Sequence, residues 1–287
     1  MNTLEKLVEI KEEGIRETDS RFFVDGVDVT EITEVIKPYF ISIMGKVGRK
    51  SFHLYALKKE DKWAGLHGVT SILKIINKPM LIGWAVGVAC DHILENFPSV
   101  EQVMANPKAI TELVEVARGL HNKRKTDAGK AGTDVHTQVE KIVKNAIEKC
   151  GGYICEVDKE CDNAQIKLFI AWAMENSIKF IESEKCVYSI ESHYAGTCDL
   201  VLEMNGKKYI ADIKTSSAIY PEAFLQMAAY QGALEEMNEH LDIKGAMVIN
   251  LPKRGGFEIG MNYAYDDNRM AFLAALILFK QLNSLTK

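Results

Sequence analysis

The sequence predicts an α/β protein whose mixed central sheet is flanked by helices. Between residues 79 and 182 apolar side chains recur mainly with the helical spacing, whereas from about residue 186 they alternate with polar ones. Two further helical segments, one from Pro221 and one from residue 266, accompany the later strands. A helix, three strands, a helix and another strand in this order are typical of a mixed sheet covered by helices.

The composition is that of an ordinary folded protein. The chain has 287 residues, of which 47% are hydrophobic and 26% are charged, so it can form one or two domains with a sizeable core. These values exclude disordered, collagen-like and disulfide-scaffold proteins. The net charge of -5 argues against a globally basic nucleic-acid coat protein, although a local basic patch is enough to bind phosphates.

The sequence favours a cytoplasmic protein with no membrane partner. The N-terminal stretch MNTLEKLVEIKEEG is charged unlike a signal peptide, and the longest apolar run, Pro79 to Cys90, is too short to span a bilayer. The six cysteines form no CxxC pair, which favours reduced thiols. Three of them, Cys150, Cys155 and Cys161, lie close together in the chain; an exposed loop is favoured there over a metal site.

The first 62 residues match no named pattern and are predicted to be a separate region of unknown role, 1–62. A strand is expected within it at residues 21–29, and a strand and a turn are expected over residues 46–62. The main domain is predicted to cover residues 63–287.

Helices are expected through the first half of this domain. Residues 67–97 predict two short helices, the second beginning at Pro79, because proline is favoured in the first helical turn. A helix over 108–122 is followed by a basic stretch, 121–130. The next helix is expected to begin after Thr133 as its N-cap, because apolar residues then recur at helical spacing.

Strands are expected in the second half. A long helix over 163–182 precedes the change to a period of two residues. The predicted strands are 186–190, 197–204, 207–214, 245–251 and 256–264. The helix from Pro221 lies between the third and fourth of them, and a helix over 266–285 ends the chain.

The strongest local signal is a β-hairpin. Asn205-Gly206 between two alternating strands is typical of a two-residue type I′ turn, which places Met204 opposite Lys207. The same register places Asp199 opposite Asp212. One face of the hairpin then carries only apolar side chains and cysteine: Cys198, Leu200, Leu202, Tyr209, Ala211 and Ile213.

The opposed aspartates predict a metal site. Directly opposed carboxylates have Cβ atoms about 4.5–5.5 Å apart and repel each other, and a divalent cation with oxygen ligands would remove the conflict. Lys214 lies two residues beyond Asp212 on the same face. Two acids, a metal and a lysine suit phosphodiester hydrolysis. The alternative interpretation is a solvated strand face whose charges happen to oppose each other.

Three further features become informative together. His136 lies in GTDVH beside an apolar helical stripe, Glu184 begins EKCVYS, and Gln226 and Tyr230 in QMAAY share one helix face. Each alone has an ordinary explanation, namely a histidine at the edge of the core, a surface glutamate and a polar helix patch.

Taken in order, GTDVH, Glu184, YAGTCDL, ADIKTS and QMAAY resemble the RecB-type branch of the PD-(D/E)XK nucleases. Within that branch, HGVTSIL followed by KPMLIGWAVGVA resembles the group of mitochondrial genome maintenance exonucleases and phage nucleases. The resemblance extends from His67 to the C-terminus. It implies a PD-(D/E)XK core over residues 63–287, with the hairpin as the active site.

The resemblance also implies the roles of individual residues. It implies that His136, Asp199 and Asp212 ligate Mg²⁺ or Mn²⁺ with the Ile213 carbonyl as a further ligand, and that Lys214 is the catalytic lysine. Glu184 would lie beside the metal, and Gln226 and Tyr230 would order the site and contact DNA. The second acid is Asp212 where the family more often has Glu. No cysteine follows Cys198, so the iron–sulfur cluster of some relatives is not expected.

A local basic segment is the candidate for DNA binding. Lys123, Arg124, Lys125 and Lys130 precede His136 and could follow the phosphates towards the metal, although a solvated basic loop is the simpler alternative. Lys253 and Arg254 form a weaker candidate.

The function expected from the residues and the resemblance is a metal-dependent DNA exonuclease. Its expected substrate is single-stranded or end-processed DNA in phage or bacterial replication, recombination or repair, with a possible protein partner from those processes. The alternatives are a structure-selective endonuclease on the same core and a nuclease-fold DNA-binding module without catalysis. A plain α/β domain with chance motifs requires the hairpin register to be wrong.

Overall fold

A computed structural model describes residues 22–24, 27–37, 40–47, 50–59, 62–76, 78–159, 161–237 and 241–285. Within these ranges the protein is α/β, with a mixed sheet and flanking helices, as predicted. The strands are β1 (Phe22–Val24), β2 (Val27–Lys37), β3 (Phe40–Val47), β4 (Lys50–Lys59), β5 (Lys62–Gly68), β6 (Lys179–Ser189), β7 (Tyr194–Met204), β8 (Lys207–Lys214), β9 (Ile243–Asn250) and β10 (Glu258–Asn262). The helices are α1 (Val69–Ile72), α2 (Pro79–Glu95), α3 (Val100–Ala105), α4 (Ala109–Lys149), α5 (Ala164–Glu175), α6 (Glu222–Glu236) and α7 (Tyr265–Leu285).

Strand β7 is the centre of the sheet. The first five strands form an antiparallel meander, and β5 then pairs in parallel with the start of β7 through His67–Tyr194 and Gly68–Ala195. Strand β6 pairs with β7 along its length, and β8 pairs with its second half. Because a strand has two hydrogen-bonding edges, β5 and β8 share the edge that β6 leaves free. Parallel β9 and antiparallel β10 extend the sheet beyond β8.

The predicted hairpin turn and its register are confirmed. Asn205 and Gly206 have φ angles of 52° and 70°, as a type I′ turn requires. The paired ladder runs from Met204–Lys207 to Leu200–Ala211, in the expected register.

Beyond Leu200 the strands no longer follow the expected pairing. Asp199 does not face Asp212 as a ladder pair; its Oδ2 accepts a hydrogen bond of 2.9 Å from the backbone N–H of Ile213. The placement of Cys198 on the same face as Leu200 is wrong, because Cys198 packs in the cluster on the other side of the sheet. The neighbouring residue on β6, Glu184, has a left-handed φ of 51° and interrupts regular alternation at this point.

Two hydrophobic clusters cover the two faces of the sheet. Residues Leu200, Leu202, Tyr209, Ala211 and Ile213 of the predicted apolar face pack against α4 and α5. Val201 and Ile210 point the other way and pack with α1, α6 and α7. A third, smaller cluster attaches the N-terminal meander to β6 and β7: Phe40, Tyr55, Leu57, Leu66, Tyr188 and Ala195.

Helix α4 corrects the prediction of two helices separated by a basic loop. It is one helix of 41 residues, so the basic residues 123–125 lie on a helix rather than on a loop. The stretch contains Lys, Arg and Ala, which are good helix formers, and no proline. Thr133 is therefore not an N-cap; its hydroxyl donates to the Gly129 carbonyl one turn earlier, as hydroxyl residues within helices do.

Two other predicted helix boundaries have different outcomes. Helix α2 begins at Pro79 in its first turn, as predicted. Helix α5 ends at Glu175 rather than at residue 182, because Ser177 has a φ of 50° and the following segment pairs with β7 as β6. No single helix in the described ranges is long and apolar enough to cross a membrane; Val69–Ile75 and Pro79–Glu95, bent by 79°, pass such a test only as a pair, by length and composition.

The prediction that all cysteines are reduced is wrong for two of them. Cys150 and Cys155 form a disulfide, with their Cα atoms 5.7 Å apart. Gly151 and Gly152, with φ angles of 63° and 95°, turn the chain back after α4 and bring the two cysteines together. Cys161 remains a free thiol, as do Cys90, Cys186 and Cys198.

Candidate active site

Helix α4 carries His136 to the sheet. The apolar stripe of the helix, including Val135 and Val139, is buried in the first cluster, so His136 lies at its edge. A Cβ atom at Gly132, one turn earlier, would lie 2.7 Å from Thr215 Oγ1 just after β8. The glycine of GTDVH therefore permits the close approach of α4 to the end of β8.

His136 is the centre of a three-residue cluster. Its Nε2 lies 3.0 Å from Asp199 Oδ2 and 3.2 Å from the Ile213 carbonyl oxygen, and its Nδ1 lies 3.9 Å from Glu184 Oε1. One possible ligand atom from each of His136, Glu184 and Asp199 lies within 4.8 Å of the others. Three separate elements, α4, β6 and β7, thus bring together residues that the sequence singled out.

Asp212 and Lys214 form a second group beside this cluster. The Asp212 side chain is only 2% exposed, and its Oδ2 lies 2.5 Å from Lys214 Nζ. Apart from this ion pair, the described residues offer the two buried Asp212 oxygens no hydrogen-bond partner. Asp212 is not one of the three clustered residues, whereas Glu184, predicted only to lie beside the metal, is.

Gln226 and Tyr230 meet on α6 as their spacing predicts. Gln226 Nε2 donates a hydrogen bond of 2.9 Å to the Tyr230 hydroxyl. A Cβ atom at Gly196 would lie 2.3 Å from the Tyr230 ring, so the glycine of YAGTCDL makes room for that ring. Tyr230 is buried. Its hydroxyl holds Gln226, and its ring packs against β7 at Gly196.

Two clefts open at the site. One of about 380 Å³ is lined by Glu184, Asp199 and Tyr230 together with residues of the meander. The other, of about 340 Å³, is lined by Lys214 with Lys74 and Lys78. Thr70 and Gln226 line both, so they form the wall between the two clefts.

The charges of the site act strongly on one another. Burial lowers the pKa of His136, but the hydrogen bond and charge of Asp199 outweigh it, and the pKa of His136 rises to about 9. Burial and the charge of Asp199 raise the pKa of Glu184 to about 7. They also raise the pKa of Asp212 to about 7, although the positive charge of Lys214 lowers it. The acids are crowded, and additional positive charge would stabilise their anionic forms.

The basic residues that were predicted to bind DNA lie farther from the His136 cluster, along α4. Lys123, Arg124 and Lys125 are exposed. At 1.5 Å and 100° per residue, Lys125 lies about 17 Å from His136 along the helix axis and within about 20° of its direction, whereas Arg124 and Lys123 point about 120° and 140° away. The side chain of Lys130 lies outside the described part of the structure. Lys253, from the weaker candidate pair, contacts the Ala128 carbonyl of the same helix.

Several residues that line the larger cleft are not predicted from the sequence. Glu140 and Lys144 are one and two turns after His136, and Lys144 Nζ lies 2.5 Å from Glu140 Oε1. Their spacing of four residues was a usable signal. Ser42, His53 and Tyr55 come from the meander, more than 80 residues before His136, and no local pattern connects them to the site.

No family model matches the chain, and no curated protein matches it either.

Proposed function

We propose that the protein is a Mg²⁺- or Mn²⁺-dependent deoxyribonuclease of the RecB-like PD-(D/E)XK type, acting as an exonuclease on single-stranded or end-processed DNA. The observation that carries the proposal is the convergence of His136, Glu184 and Asp199 beside the Asp212–Lys214 pair. An imidazole, carboxylates and a lysine that lie close together suit hydrolysis of an anionic ester.

The donor set fits a divalent cation. The carboxylates of Glu184 and Asp199, the Ile213 carbonyl and the His136 imidazole are ligands that Mn²⁺ accepts. The oxygen atoms among them also suit Mg²⁺. The buried Asp212 oxygens, which have only Lys214 as a partner, add negative charge next to these ligands. When bound, the cation would lower the pKa of a water molecule and neutralise charge on the phosphate.

The residues around the ligands have separable roles. Lys214, held by Asp212, provides a positive charge that orients the attacking water and stabilises the phosphate as negative charge develops. The Ile213 N–H fixes the Asp199 carboxylate. Gln226, fixed by Tyr230, lies in the wall between the clefts, where it can donate to a phosphate or base of the strand.

Exposed Lys125 on α4 gives a route for the strand. Lys125 points in nearly the same direction as His136, so a strand following the helix would meet that lysine before the cluster. We expect the reaction to serve phage or bacterial DNA replication, recombination or repair in the cytoplasm, with a protein of those processes as a possible partner.

The test is digestion of linear single-stranded DNA labelled separately at each end, with Mg²⁺, Mn²⁺ or EDTA. We expect metal-dependent shortening from an end. Asp212→Ala and Lys214→Ala should lower kcat by about 10²–10⁴-fold while thermal melting stays close to wild type. Lys207→Ala, at the hairpin turn on the same strand, is the matched control and should keep full activity.

Other outcomes distinguish the alternatives. Cleavage of circular single-stranded DNA would indicate the endonuclease, because an exonuclease requires an end. DNA binding without cleavage under any metal would indicate the non-catalytic binding module. Full activity of Asp212→Ala or Lys214→Ala would contradict the assigned site.

A further inference from the structure

The N-terminal meander contributes a polar wall to the larger cleft. Ser42 on β3 is directly opposite Tyr55 on β4, and His53 lies two residues before Tyr55, so all three side chains share one face of the meander. These residues line the same cleft as Glu184 and Asp199. The sequence alone assigns no role to residues 1–62.

The wall residues are joined by a chain of short contacts. His53 Nε2 lies 2.7 Å from Ser42 Oγ, and His53 Nδ1 lies 3.0 Å from the Tyr55 hydroxyl. That hydroxyl lies 3.4 Å from Thr197 Oγ1 on β7. Thr197 is two residues before Asp199, so this series of contacts ends about 6–7 Å along β7 from that candidate metal ligand.

The wall is firmly positioned. The Tyr55 ring is buried in the third hydrophobic cluster, and Phe40 in that cluster stacks on Tyr188 of β6 with ring centroids 4.7 Å apart. Tyr55 is thus fixed at its apolar end and holds His53 with its hydroxyl. The rings of His53 and Tyr55 are 4.1 Å apart between centroids, and His53 is the exposed member of the pair.

The chemistry of the wall suits a nucleoside rather than a phosphate. Although part of its ring is open to the cleft, desolvation lowers the pKa of His53 to about 4, so the imidazole is neutral at pH 7. A neutral imidazole offers no charge to a phosphate, and both of its nitrogens are already paired with Ser42 and Tyr55, so the ring itself is what the wall presents to substrate. An exposed ring backed by a second ring is also a stacking surface for a base.

We propose that His53, held between Ser42 and Tyr55, binds the nucleoside adjoining the phosphodiester that is hydrolysed at the His136 cluster. The inference rests on the proposed nuclease function and adds a substrate subsite to it. It gives the N-terminal meander a role in holding substrate, with Ser42 and Tyr55 as positioning residues for the His53 ring.

The test measures binding and turnover of a single-stranded oligothymidylate of 15 nucleotides by the full-length protein. Binding is followed by fluorescence anisotropy in the Lys214→Ala background with Mg²⁺, and KM and kcat are measured in the wild-type background. We expect His53→Ala to raise Kd and KM about tenfold, as loss of one stacked base does, with kcat within about twofold. His53→Phe keeps a ring and should stay within about threefold of wild type.

Controls separate the subsite from stability and from the proposed function. Tyr55→Phe and Ser42→Ala loosen the imidazole but keep the ring, so we expect increases in KM of about two- to threefold. His92→Ala, which removes a histidine from α2, should change neither constant. Unchanged Kd and KM in His53→Ala, while the wild type cleaves DNA, would refute the subsite alone; a wild type that neither binds nor cleaves DNA would refute both proposals.

Discussion

At the scale of single residues, Gly196 determines whether Tyr230 can occupy its place. A Cβ atom there would lie 2.3 Å from the Tyr230 ring, so the ring would have to shift. Because Tyr230 is hydrogen-bonded to Gln226, that shift would disturb Gln226 as well. We expect Gly196→Ala to lower the free energy of unfolding by about 1–3 kcal/mol, as overpacking does. Urea denaturation followed by circular dichroism would measure the change.

A helical glycine provides the matched control for this substitution. At Gly119 in α4, a Cβ atom would meet no described atom within 4 Å. Gly119→Ala should therefore stabilise the protein by about 0.5–1 kcal/mol, because alanine favours the helix. Equal stability of Gly196→Ala and wild type would show that Tyr230 is not held in the way described.

The sequence anticipated the residues of the candidate site better than their pairing. The Asn205-Gly206 turn set the hairpin register as far as Leu200 and Ala211, because turn geometry propagates along a regular ladder. The register could not predict the side-chain hydrogen bond from Asp199 to the Ile213 N–H. Glu184 on β6, next to Asp199 in the sheet, has a left-handed φ, and a positive φ at a glutamate has no sequence signature.

At the scale of elements, helix α4 fixes the relation between the basic residues and the cluster. Its 41 residues form a rod about 61 Å long at 1.5 Å per residue, so Lys125 and His136 keep a constant distance and direction. A basic loop would have left this relation free. The break was predicted because Thr133 resembles an N-cap, and nothing local shows that its hydroxyl bonds within a continuing helix.

This rigid relation predicts unequal roles for adjacent basic residues. Lys125→Ala should weaken binding of single-stranded DNA several-fold and reduce the slope of log affinity against log salt by about 0.7, the value for one phosphate contact. Arg124→Ala, which removes a neighbouring charge pointing about 120° away, should change both less. Fluorescence anisotropy over a salt series would measure both; a larger effect of Arg124→Ala would contradict the proposed path.

At the scale of the whole molecule, the order of strands explains why the site includes parts of the chain far apart in sequence. Strand β6 occupies one edge of β7, so β5 must join the other edge next to β8. The meander that precedes β5 is thereby attached beside Asp199. Alternation and turn residues predicted most of the strands from residue 197 onwards, but pairing between β5 and β7 depends on contacts over more than 120 residues. No local pattern contains that information.

The excess of acids at the site predicts that a divalent cation stabilises the folded protein. Glu184 and Asp199 belong to the His136 cluster and the buried Asp212 interacts with Asp199, and the unfolded chain has no such arrangement. At a Mn²⁺ concentration about 100 times its Kd, the folded state should gain about 2.7 kcal/mol and melt several degrees higher. Differential scanning fluorimetry with EDTA and with Mn²⁺ would measure the shift without DNA.

The contrast between two variants decides whether the cation binds at the proposed place. Asp199→Asn removes one charged ligand from the cluster, so it should lose most of the shift, because cation binding depends on carboxylate charge. Glu203→Gln removes an acid from the same strand four residues away, where β7 pairs with Lys208 of β8, and it should keep the full shift. Equal shifts in both variants would mean that the cation stabilises the protein elsewhere, and the assignment of His136, Glu184 and Asp199 as its ligands would be wrong.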